Sequence, residues 1–261
     1  MGPFAQKNLK YTMTALWKWK LFFTLLLISI GLGFIYFSPF CDSYLSLADS
    51  FVFTKVHKAT QFSPYLQTFL ILASHELSHF VFFSIAFLIW FLSIKNNPKH
   101  LIVHKTSEAI FSMIVIGVSL YLINHLFFHD WLNFSRLPPK YTNPISNMFM
   151  QVSSWIHKKK TIDLVYPSYY ATCITQYVMI SMICLGFRKG MMNLLIGLYF
   201  LLPLIFMGQY GVSDILIGTA SISFFTVAIG FYTPVYYLCV QWIEKVFFKI
   251  SKLNPKKDLQ K

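Results

Sequence analysis

Six apolar runs divide the chain, covering about residues 20–38, 66–93, 107–128, 167–187, 190–207 and 213–240. Each reaches or approaches the roughly 20 residues that a helix needs to cross hydrocarbon. The pattern predicts an all-α fold: one polytopic membrane domain over residues 1–261, built as a six-transmembrane-helix bundle. Lysines precede the first run, but no small-residue cleavage site follows it, so it reads as a retained span. The last stretch, 241–261, sets Ile243, Val246, Phe247, Ile250 and Leu253 at helical spacing among lysines. That spacing predicts a basic amphipathic tail on the inner surface.

The polar positions inside the runs come next. Residues 69–92 read FLILASHELSHFVFFSIAFLIWFL and carry His75, Glu76 and His79. Ionisable groups inside a span are costly and mark function more often than chance. His75 and His79 are four apart, so a helix sets them on one face, where they can bind one metal. Glu76 could then polarise a metal-bound water. His125 and His129 form a second such pair at the end of the third run.

Lysine and arginine counts orient the runs. With both termini inside, the inner segments hold Lys7 to Lys20, Lys95 to Lys105, Arg188, Lys189 and the C-terminal lysines, 15 of 22. The outer segments hold the other seven: Lys55, Lys58, Arg136, Lys140, Lys158, Lys159 and Lys160. This predicts a multi-pass protein of the cell membrane with both termini cytoplasmic. The second, third, fourth and sixth runs then bring their polar groups to the outer half. Trp17, Trp19, Trp90, Trp131 and Trp155 fall near the expected interfaces, as an aromatic belt requires.

Composition agrees with a membrane class. The chain is 56% hydrophobic and 12% charged, where soluble domains carry about 25% charged residues. Its net charge of +13 sits beside the spans, which points to anionic lipid headgroups and away from nucleic acid. Cys41, Cys173, Cys184 and Cys239 show no metal-ligand spacing and no disulfide framework. Protein partners are not indicated.

The second half adds a motif pattern. Pro167 and Ser168 open the fourth run, Arg136 lies in the loop before it, and GQYGVSDILIG spans 208–218. Together with span order and orientation, these resemble the type 2 phosphatidic acid phosphatase superfamily over about 107–225. That family carries K-x6-R-P after its third span, P-S-G-H at its fourth, and S-R-x5-H-x3-D between its fifth and sixth. The resemblance implies an outer site binding a phosphorylated lipid, with no cofactor. Arg136, Ser168 and Pro167 would be substrate-binding, and Asp214, Tyr210, Tyr170 and His129 would occupy the catalytic positions.

The departures bear on chemistry. Tyr210 stands where the family nucleophile is a histidine, and Tyr170 where its general acid is one. Pro203 and Leu204 replace S-R; His129 replaces the lysine and Leu137 the proline of the first motif. A phenol of ordinary pKa near 10 is a poor nucleophile at neutral pH. Hydrolysis is therefore expected to be slow or absent. HELSH also resembles the zinc motif of intramembrane site-2 proteases, which implies a zinc-dependent hydrolase on His75, His79 and Glu76. The late-span Asp214 lacks that family's L-D-G context. A non-catalytic scaffold is the third class.

The orientation yields a test. Cysteines introduced at Asn133 and Lys159 should react with an impermeant reagent from outside, and one at Asn97 should not. The reverse pattern would overturn the assignment of the outer face.

Overall fold

The computed structural model describes residues 18–60, 63–73, 76–131, 139 and 168–251. Among the described residues the regular structure is helical. The order is α1 (Trp19–Phe37), α2 (Pro39–Thr60), α3 (Pro64–Ala73), α4 (Glu76–Ile94) and α5 (Lys99–Ser119). α5 continues without interruption into a π-wound segment, Leu120–Trp131. Then come α6 (Tyr169–Cys184), α7 (Phe187–Phe206), a π-wound turn (Asp214–Thr219) leading into α8 (Ala220–Tyr232), and α9 (Pro234–Ser251).

Among the described residues, four segments are long and apolar enough to cross a membrane: Trp19–Phe37, Leu101–Phe127, Phe187–Phe206 and Asp214–Tyr232. The chain is a helical membrane protein. The run expected at 66–93 is divided between α3 and α4, and the apolar part of α4 is the shorter Ser78–Ile94. The run expected at 213–240 ends at Tyr232. Thr233 is extended (φ −107°, ψ 168°) and Pro234 starts a new helix. A residue before proline is pushed out of the helical region, and proline suits the first helical turn. Ser38 and Pro39 end α1 and start α2 by the same means, with Ser38 at φ −70°, ψ 124°. The helix over 39–60 is absent from the six-run pattern.

Among the described helices, α1 and the segment 214–232 form the most extensively packed pair, antiparallel and in one register. Ser29 and Ser221 exchange hydroxyl-to-carbonyl bonds of 2.8 and 2.9 Å. Tyr36 reaches Asp214 further along, and Lys18 lies over the Tyr232 ring at the far end. Gly33 and Gly218 let the backbones approach. A Cβ on Gly33 would sit 3.1 Å from the Ser221 hydroxyl, and one on Gly218 would sit 2.9 Å from the Tyr36 ring. Small residues at such seams are how membrane helices pack without a hydrophobic drive between them.

Among the described residues two large apolar clusters fill the bundle, beside a small third one at Leu70 and Met207. One gathers Trp90, Phe111, Ile180, Cys184, Val227, Phe231, Val240 and Ile243. The other gathers Phe82, Ala171, Ile174, Val178, Phe200, Leu204 and Ile215. Between them α5, α6 and α8 share a buried polar contact, in which Gln176 donates to Ser119 (2.6 Å) and Thr226 (3.1 Å).

Oxidation should crosslink Ser29→Cys to Ser221→Cys in the full-length protein. Adding Gly218→Leu should reduce that crosslink several-fold, because the side chain drives α1 from α8. Unchanged crosslinking would refute the close seam.

Candidate functional site

The helix that becomes α8 starts inside the protein, where its first amides need partners. Just past the end of α7 lies Gly208, whose φ of 61° is the left-handed conformation glycine favours. There the Gly208 amide donates to Ile205 (2.9 Å) and the Gln209 amide to Leu204 (3.0 Å), closing α7. The next helix opens three residues later. Asp214 reaches back to accept from the Gly211 amide at 2.8 Å. This is the acidic half of a capping box. Asp49 comes from α2, far away in sequence. One of its oxygens accepts from the Ser213 amide (2.8 Å) and the other from the Ser213 hydroxyl (2.5 Å). The second Asp214 oxygen accepts from the Tyr36 hydroxyl at 2.7 Å.

Both carboxylates are buried. A helix N-terminus carries partial positive charge, so acids there are favoured. Gly211 is required between them: a Cβ would lie 2.3 Å from an Asp49 carboxylate oxygen. Asp214 thus sits where the sequence placed it, at the start of the last apolar run. A phenol that reaches it is Tyr36, and the second acid is Asp49. Sequence reading singled out neither.

The remaining predicted residues divide as follows. Ser168 is buried and is the N-cap of α6; its hydroxyl accepts from the Ala171 amide at 3.2 Å. Tyr170, two residues on, stacks on His79 of α4 with ring centroids 3.6 Å apart. Tyr170 and Tyr210 pack against the same apolar cluster around Phe82 and Ile174. The structure therefore brings Ser168, Tyr170, His79, Tyr210 and Asp214 to one end of the bundle. Glu76 is the first residue of α4, and His129 lies in the π-wound extension of α5. His75, Arg136, Pro167 and the basic cluster Lys158–Lys160 lie outside the described residues. His125 is half exposed and bonds Asp130 on its own segment at 3.1 Å. Among the described residues, no three His, Cys, Asp or Glu side chains are grouped to hold a metal ion. The HELSH set includes the undescribed His75.

The opposite end holds a second charged cluster. Lys105 donates to Glu108 and to the Cys184 carbonyl, both at 2.7 Å. Tyr236 donates to Glu108, and the His104 ring stands between Glu244 (2.5 Å) and Glu108 (3.4 Å). A ring with a carboxylate at each nitrogen serves both when both nitrogens carry protons. Burial first, then the bond to Glu108, raises the Tyr236 phenol above its ordinary range, so it stays a donor. This network joins α5, α6 and α9.

Compared with known proteins, the chain matches no family model, and no curated protein or solved structure matches it.

Tyr36→Phe removes the donor to a buried carboxylate and should cost about 1–3 kcal/mol, read by thermal unfolding in detergent. In an Asp214→Ala background the same change should cost far less, because interacting groups are not additive. Equal costs in the two backgrounds would mean that the bond contributes nothing.

Proposed function

We propose that the chain is a lipid-phosphatase-like protein of the cell membrane. It crosses six times, with both termini inside, and holds a phosphorylated lipid at the outer end of the bundle without histidine-nucleophile turnover. The six crossings are α1, the α3–α4 pair, α5, α6, α7 and the segment 214–232. The lysine bias then puts the Asp214 end outside. The order of features follows the resembled superfamily: a loop containing Arg136, Ser168 opening a helix, and Asp214 opening the last span.

One observation carries the reading that turnover is lost. Asp214 stands where that superfamily orients its nucleophile, and here each of its oxygens accepts a bond that builds the fold, from Tyr36 and from the Gly211 amide. The position keeps its acid as a helix cap, and the residue at 210 is a phenol. Two carboxylates also make the start of the last span a poor seat for an anion. A phosphate is better placed at the start of α6, where the amides point outward. The Ser168 hydroxyl accepts from Ala171 there and keeps its proton for a donor role. Arg136 would be the fixed cation for phosphate oxygens, with His129 and Lys158–Lys160 adding attraction.

The zinc-dependent hydrolase is the rival. His79 against Tyr170 brings the start of α4, which carries Glu76 and His79, to the same end of the bundle.

Phosphatidic acid binding to the purified protein separates the two. Arg136→Ala should weaken it about tenfold or more, chelator should leave it unchanged, and phosphate release should be slow or absent. Brisk chelator-insensitive release would sink the impaired-site reading. Stoichiometric zinc, with turnover abolished by Glu76→Gln while the metal is retained, would favour the rival.

A further inference from the structure

α2 has two unlike faces. Phe40, Tyr44, Leu47 and Phe51 recur at helical spacing and are 87%, 75%, 71% and 62% exposed. Asp49, Phe53 and His57 lie on the opposite side and are 6%, 3% and 1% exposed. The exposed stripe ends in two lysines: Lys55, with its ammonium 5.5 Å from the centre of the Phe51 ring, and Lys58. Within 22 residues the helix also carries Asp42 and Asp49, too much charge for a span. It follows a spanning helix after the single residue Ser38, so it begins where α1 leaves the hydrocarbon. Exposed apolar side chains of α1, Leu27, Ile30 and Phe34, lead directly to Phe40.

We propose that α2 lies in the plane of the membrane, with the stripe Phe40–Tyr44–Leu47–Phe51 seated at the headgroup–acyl boundary of the surrounding bilayer. The occupant of this face is lipid. The lipid-facing side of α1 continues into the stripe without a break. An in-plane helix presents an apolar face to the acyl chains and basic residues to phosphates. Lys55 and Lys58 can run their methylene stems along that boundary and place their ammonium groups among the headgroups. On its other face Asp49 is bonded to Ser213. One helix therefore touches both lipid and the opening of the last span. This inference does not depend on the function proposed above.

Depth measurement tests it on the full-length chain in phosphatidylcholine–phosphatidylglycerol vesicles. Cys41 and Cys239 are first replaced by serine. Single spin labels are then placed through Tyr44→Cys, Leu47→Cys and Phe51→Cys, with Leu27→Cys on α1 as the deep reference. All three substituted α2 positions are exposed, so the fold is left intact. Collisions with oxygen and with a water-soluble nickel complex give the depth. The three α2 labels should share one shallow depth, above that of Leu27. A transmembrane α2 would separate Tyr44 from Phe51 by about 10 Å at 1.5 Å per residue, which overturns the proposal. Free access of nickel to all three would put the stripe in water, and protection from both reagents would put protein over it. Either result also overturns it.

Discussion

The first amides of the last spanning helix open inside the protein, and the chain must satisfy them itself. Water cannot do so in hydrocarbon, where an unpaired backbone group costs several kcal/mol. Asp214 takes the Gly211 amide and Asp49 takes that of Ser213. These two bonds fix more than a helix end. Asp49 binds α2 to the loop between α7 and α8, and Asp214 binds that loop to α1 through Tyr36. The α1–α8 register then follows along Ser29, Gly33, Gly218 and Ser221.

The same logic recurs with opposite sign at the other end. α6 finishes at Cys184, whose carbonyl accepts from the Lys105 ammonium. Cations are favoured at helix C-termini as anions are at N-termini. Glu108 then balances Lys105, and Tyr236 and His104 bring α9 into the network. Much of the buried charge in this bundle is thus matched to helix ends. A charged residue inside an apolar run is evidence of a polar need, and that need can be structural.

The helical class and most of the spans could be read from the length of the apolar runs. So could the gathering of Ser168, Tyr170, Tyr210 and Asp214 at one end, because alternating span directions fix which ends coincide. α2 was missed. Its faces alternate at helical spacing, but its charges kept it below the hydropathy of a span, and it passed as connecting sequence. Asp49 and Tyr36 were missed for a different reason. Their partners are 164 and 178 residues away, and nothing local marks a residue whose role is to close another helix. The ends of the spans were also blurred, because apolar residues continue past Thr233 while the backbone does not.

Proline sets those ends with a further consequence. α1 and the segment 214–232 are each 19 residues, and α1 is about 28 Å long at 1.5 Å per residue. Each is closed by an X–Pro step at one end, Ser38–Pro39 and Thr233–Pro234. A span without such a stop can recruit neighbouring apolar residues when the bilayer thickens. This pair cannot extend past its prolines, and its polar seam resists sliding. In a thicker membrane the lipid must thin around it, at a fraction of a kcal/mol per Å of mismatch. The antiparallel pair therefore carries one proline stop at each end, on opposite helices, so neither end can lengthen on both helices at once.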